Sequence, residues 1–184
     1  MSALKNRKTA WIITILLIIA GIFLGSYTTY LRLRRPVVQA FRTEVVPLLN
    51  EQIQMTYNML TIYRLNAPDD TDTADQVMAN IERLQREMAV MGMYSELSAL
   101  LSWDAEGLYQ LSEPLNLNEN DAGFMRNSLT DIIELLMVLR QSRYDEYVRE
   151  FNSAARGGLW ILTRHWRLYP EFGNPDAGEW LADL

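Results

Sequence analysis

Cysteine is absent from this 184-residue chain, and histidine occurs once, at His165. Disulfides, thiolate metal centres and cysteine nucleophiles are therefore excluded, and a catalytic triad or histidine metal site is reduced to one imidazole. His165 lies in the string TRHWRLY beside Trp166 and reads as a packed or surface side chain. Strand signals are equally scarce. No clean two-residue alternation occurs outside one long apolar run, and no Asn-Gly or Asp-Gly hairpin turn is present. There is no phosphate-cradling glycine loop, no G-x-S-x-G and no H-E-x-x-H. Asn116, Asn118 and Asn120 alternate like calcium ligands, but the sixth position is Asp121 where glycine is needed and the twelfth is Asn127 where a bidentate glutamate belongs. A solvated turn is the expected reading. Adjacent carboxylates such as Asp145 with Glu146, or Asp104 with Glu106, point apart on a helix and read as solvated faces. No catalytic residue, metal site or cofactor is expected, and the chain is not read as an enzyme.

Charge is missing altogether from residues 10–31, where no Asp, Glu, Lys or Arg occurs. A bilayer core takes about 20 apolar residues in helical form, so this run is long enough to span. Trp11 at one end and Tyr27 and Tyr30 at the other sit where amphipathic rings favour the headgroup level. The run is too long, and too aromatic at its end, for a cleaved signal peptide, so it reads as a retained single-pass anchor. Without an early glutamate or strand patterning, it does not read as a pilin. Six basic residues flank it (Lys5, Arg7, Lys8, Arg32, Arg34 and Arg35), and residues 1–35 hold no acid. Against a formal total of −6, that leaves −12 on residues 36–184. A body that acidic is repelled by phosphate backbones, so nucleic acid is not an expected partner. The flanking cations are placed to meet lipid headgroups. Basic residues on both sides, with Arg42 added to the second, leave the orientation open.

Beyond the anchor the patterning is helical. Val38, Phe41, Val45, Leu48, Gln52, Met55, Met59 and Ile62 recur at alternating steps of 3 and 4, the stripe of a coiled-coil-like seam. Pro36 and Pro47 are expected to bend this rod, which otherwise continues from the membrane helix. Residues 66–72 break it. Thr73 with Gln76 reads as a capping box opening a helix striped by Val77, Ile81, Leu84, Met88 and Met91, with Gly92 ending or bending it. Leu97, Leu101, Leu108 and Leu111 carry another face, weakened by Gly107. Residues 113–123 form the second expected break. A helical pattern then runs through Phe124, Leu129, Ile132, Leu136, Leu139, Tyr147, Phe151 and Ala154. The expected fold is all-α: an N-terminal transmembrane helix leading into an antiparallel helical bundle. Its parts are a basic flank (1–9), the membrane helix with its basic exit (10–35), the bundle (36–169) and an irregular tail (170–184).

Two features carry binding potential. Trp160, Arg164, Trp166, Arg167 and Tyr169 form an aromatic-basic cluster, the composition of a binding hot spot or membrane-surface segment, or of a cap closing the core. Met55, Met59, Met88, Met91 and Met93 line either an irregular core or an adaptable groove, with core the stronger reading.

Some local strings carry a likeness. YSELSA at residues 94–99 resembles the Y-P-E-L-x-A string of the LemA family of bacterial membrane proteins, with Ser95 in place of proline. Residues 143–154, RYDEYVREFNSA, resemble that family's R-x-Y-N-x-x-V-x-x-Y-N-x-x-I segment, with Asp145 for the first asparagine, and Leu168-Tyr169-Pro170 resembles its closing F-P. The loop around residues 113–123, the Gly157-Gly158 pair and the tryptophan-rich stretch have no counterpart. The resemblance implies a membrane helix running into a long first bundle helix and a location in the bacterial cytoplasmic (inner) membrane; the family has no agreed catalytic site to carry over. The expected role is a non-catalytic interaction or scaffold module at the bilayer, with a protein partner or self-association. The alternative is a tethered sensor binding a small ligand between its helices.

Overall fold

The computed structural model describes residues 2–92, 94–157, 163 and 166–172. The chain begins as one rod: α1 (Ser2–Ala40), a single π-helical turn (Phe41–Val45) and α2 (Val46–Asn66). At ~1.5 Å per residue this rod is roughly 95 Å long, about three hydrocarbon thicknesses. Its first part is exposed through residue 25 of the apolar run and is long and apolar enough to cross a membrane. The first residue of that run with any cover is Ser26, followed by Tyr30 and Leu33. Packing therefore begins within the last turns of the apolar segment.

Pro36 lies inside α1 without ending it. The register change comes later, in the π turn, where the Val46 N–H reaches back to the Phe41 carbonyl. That turn immediately precedes Pro47 in the first turn of α2. Proline's missing N–H leaves the α ladder one donor short, and the wide turn places the irregularity there.

The remaining helices are α3 (Thr71–Val90), α4 (Tyr94–Ser112), α5 (Glu119–Arg140) and α6 (Arg143–Gly157). Among the described residues there is no strand, and the fold is an all-α bundle. Two packing units share the rod. In the distal unit α2 touches α3, α4 and α5, while α4 also packs on α3 and α5. In the proximal unit α6 packs along α1 and touches the π turn. Tyr144 meets Phe41 and Phe151 meets Tyr30, so α6 runs antiparallel to α1, back toward the apolar run.

Several boundaries differ from the sequence expectation, each for a local reason. The seam on α2 is wider than a heptad stripe: Leu49, Gln52, Ile53, Thr56, Met59, Leu60 and Tyr63 are buried, while Leu48, Met55 and Ile62 are only partly covered. Three helices flank α2, and three partners need a broader apolar face than one coiled-coil seam. The cap of α3 is Asp70, not Thr73; its Oδ1 accepts the Thr73 N–H at 3.2 Å. α3 ends with Met91 in the left-handed region (φ 50°), and the Gly92 N–H bonds the Glu87 carbonyl at 2.8 Å. This is a Schellman closure in which the glycine follows the left-handed residue instead of occupying it. The second loop is shorter than expected because Asn118 caps α5, accepting the Asp121 N–H at 2.9 Å, so Asn120 and Gly123 are already helical. A further break falls at Gln141 and Ser142, where a continuous helix was expected. Finally, the bundle does not stop at Tyr169: Phe172 is buried against Tyr94 and Tyr144.

Candidate functional site

The junction between α1 and α6 is built from aromatic rings. Nearest the apolar run, Tyr30 sits 5.9 Å from Phe151 and 5.2 Å from Trp166, centroid to centroid. Phe151 in turn meets Trp166 at 5.5 Å and Tyr169 at 5.1 Å. Higher up, Phe41, Tyr94, Tyr144 and Phe172 close a second group with separations of 4.7 to 6.1 Å. Tilted and edge-on pairs at such distances each add about 0.5–1.5 kcal/mol beyond area burial. The column joins α1 to the distal bundle through α4.

Segment 166–172 completes this column and is stitched to α6 by polar side chains. Asn152 Nδ2 donates to the Tyr169 carbonyl at 2.9 Å, and its Oδ1 accepts the Tyr169 N–H at 3.1 Å. The buried Asp145 accepts the Phe172 N–H at 2.9 Å. The Tyr144 hydroxyl bonds that of Tyr94 and donates to the Pro170 carbonyl at 3.3 Å. Burial, with Asp145 adding to it, pushes the Tyr144 phenol well above its usual range, so it stays protonated and able to donate. Tyr94, residues of the 143–154 string and segment 168–170 thus meet at one joint, where a segment outside any helix is held by side chains.

Of the aromatic-basic cluster, the joint takes Tyr169, which is buried, and Trp166, which is partly buried. Neither belongs to an open surface, because ring stacking on Phe151 turns them inward. Arg167 is exposed on its helix-free segment and donates to the Val90 carbonyl at 3.4 Å. Trp160, Arg164 and His165 lie outside the described residues. Among the membrane-flanking cations, Arg7, Arg32 and Arg35 are exposed, and the side chains of Lys5 and Lys8 lie outside the described part. Arg34 is held: its Nε donates to the Tyr169 hydroxyl at 3.1 Å, and its guanidinium lies 5.7 Å from the Tyr30 ring centroid. Of the methionines, Met59 and Met88 are buried and Met55 and Met91 partly so, which makes them core; Met93 lies outside the described residues. The expected tail, 170–184, is described only to Phe172.

A second concave region was not anticipated. Between α4 and α5 lies a cleft of about 360 Å³, walled by Trp103, Leu129, Ile133, Leu136 and Met137, with Glu106 and Arg140 at its edges. Ile133 is 44% exposed and Met137 57% exposed, so this part of α5 presents apolar surface to solvent. The string IIELLMVL at residues 132–139 carries the signal: it has more apolar residues than one buried helix face can hold. Among the described residues no cluster of three acids or histidines converges to hold a metal. The one partly buried carboxyl of α4 with a shifted affinity is Asp104. Burial raises its pKa against the opposing hydrogen bond from Asn80 Nδ2 at 2.8 Å.

Fold and site together define a helical bundle built on a rod whose exposed end is apolar enough to cross a bilayer. No family model, curated protein or solved structure matches the chain.

Proposed function

We propose that this protein is a single-pass, membrane-anchored interaction or scaffold module. In this reading residues 10–31 cross the bacterial inner membrane, and the α4/α5 cleft receives a protein partner. The observation that carries it is the exposed apolar wall of that cleft, where Ile133 and Met137 stand beside Trp103 in one concave surface. Large apolar side chains lining a concave surface with polar edges are the composition of an interaction site. The aromatic joint supports the anchor half of the reading, because it couples the bundle rigidly to the helix that would enter the lipid. Descent from the LemA family belongs to this reading on the likeness of the 94–99, 143–154 and 168–170 strings alone.

A photo-crosslinking residue at position 133, in the full chain in native membranes, tests the proposal. One discrete adduct, lost when Met137 becomes Asp, is the expected result; no adduct above that from an exposed control such as position 83 refutes it. The same cleft has the volume for a small apolar ligand, which is the second reading. A ligand at 100 times its dissociation constant raises stability by about 2.7 kcal/mol, so thermal-shift screening of the full chain in detergent separates the two.

A further inference from the structure

We infer that Arg34, Arg35 and Arg42 form a binding site for the phosphate of an anionic phospholipid, at the point where the rod leaves the bilayer. The inference rests on the proposed membrane anchor and is independent of the α4/α5 cleft. A shallow hollow of about 640 Å³ runs along α1 beside its joint with α6, lined by Leu31, Arg34, Arg35, Val38, Gln39 and Arg42. Its floor is apolar, from Leu31 and Val38, and its rim is cationic. Thr43 completes the lining, so no acid falls on this side. The nearest carboxylate in sequence, Glu44, is roughly opposite Arg35 at about 100° per residue.

Position along the rod points to a lipid. The hydrocarbon core ends near Leu31, and the headgroup layer beyond it is only about 5–8 Å deep. Arg34 and Arg35 lie about 5–6 Å past Leu31 along the axis, within that layer. Arg42 is two helical turns above Arg35 and on nearly the same line. Helical side chains lean toward the N-terminus, so Arg42 leans back toward the bilayer and Arg35. A phosphate between the two is reached from both sides, and the acyl chains continue down the apolar face below Leu31.

Two further observations bear on the site. Arg34 is pre-ordered by the Tyr169 hydroxyl and the Tyr30 ring, which lowers the entropy lost when it takes an anion. Arg35 and Arg42 make no hydrogen bond or ion pair among the described residues, although the body beyond residue 35 carries −12. Such a body is pushed away from an anionic leaflet, and cations at the neck are the groups able to offset that repulsion.

The test is lipid retention by the full chain. The protein is extracted from vesicles of equimolar phosphatidylcholine and phosphatidylglycerol, and bound lipid is counted by native mass spectrometry. Wild type is expected to retain phosphatidylglycerol in preference to phosphatidylcholine. Each Arg→Gln change at 35 or 42 should cut that retention about fivefold, and the pair about twenty-five-fold, at roughly 1 kcal/mol per arginine. Arg35→Lys with Arg42→Lys keeps the charge but removes the planar fork and should lose part of it. Arg83→Gln with Arg126→Gln, in the bundle, should lose none. Equal loss from that distal pair, or no preference in wild type, overturns the site. Displacement of the lipid by millimolar inorganic phosphate reassigns the hollow to a free anion and overturns the lipid commitment. Release of the full chain from membranes by alkaline carbonate refutes the anchor itself, which separates that failure from this one.

Discussion

Removing Gln52 tests whether the bundle's register is set by a polar pin inside its core. Gln52 is fully buried on α2 and meets α4 through three hydrogen bonds. Its Nε2 donates to the Ser98 carbonyl and to Ser102 Oγ, each at 2.8 Å, and its Oε1 accepts from Ser98 Oγ at 2.7 Å. Ser102 Oγ also donates to the Ser98 carbonyl at 3.0 Å, and Thr56 Oγ1 donates to the Gln52 carbonyl at 3.0 Å, so the network is satisfied throughout. Each bond contributes about 0.5–1.5 kcal/mol net, and a donor left buried without a partner costs about 1–3 kcal/mol. Gln52→Leu removes all three bonds while leaving both serines in place. Against this, the leucine adds burial of apolar surface. The expected net loss is about 2 kcal/mol, or a melting temperature lower by roughly 4–8 °C for a domain of this size. The assay is thermal unfolding of the full chain in detergent, followed by circular dichroism. The triple variant Gln52→Leu/Ser98→Ala/Ser102→Ala should recover most of the loss, because it removes the orphaned groups as well. A Gln52→Leu protein that melts at or above the wild-type temperature refutes the reasoning, since a dispensable network cannot fix the register of α2 on α4.

Three other outcomes follow from the same geometry. Tyr63 is buried and donates to Asp70 Oδ2 at 2.6 Å; burial first, and then this bond, push its pKa up to about 12. Its folded value exceeds the unfolded value of about 10, so the stability it provides is full below pH ~10 and lost as pH rises toward 12. Tyr63→Phe should flatten that part of the alkaline loss, read as the urea midpoint against pH, while the share due to Tyr144 remains. Asp104 has the opposite consequence at neutral pH: its raised pKa means the charged form is disfavoured in the folded state. Asp104→Asn should therefore be more stable than wild type at pH 7, a gain that disappears as the pH falls and the wild-type carboxyl takes up its proton. Asn152→Ala breaks both bonds to the Tyr169 backbone and should cost about 1–3 kcal/mol. Hydrogen exchange should then rise first at Tyr169 and Phe172, with α2 to α5 unchanged; a uniform rise along the bundle would contradict the latch assigned to Asn152.

How much was legible differs by element. The exposed apolar run and the rod were readable because their signals are local: uninterrupted hydrophobicity, and apolar residues one turn apart. Helix ends were less so. Asp70 and Asn118 are both good cap residues, but so are Thr73 and several neighbours, and choosing among them requires knowing which backbone N–H groups each side chain meets. The break at Gln141 has no glycine or proline to announce it. Among the cluster residues, Trp166 and Tyr169 have the composition of a binding surface, yet their rings stack on Phe151. Composition does not distinguish an aromatic facing water from one facing a neighbouring ring.

The amino-acid sequence by itself determined that the chain is helical, that its N-terminal run has the length and apolarity to span a bilayer, and that its charge is divided between a basic neck and an acidic body. Those properties depend on residue type and on spacing within a few turns. Only the tertiary structure decided that α6 turns back along α1, that Asn152 and Asp145 hold the closing segment, and that the α4/α5 cleft stays open. Each of these joins residues far apart in the chain, and such contacts are selected by how complete helices pack against one another.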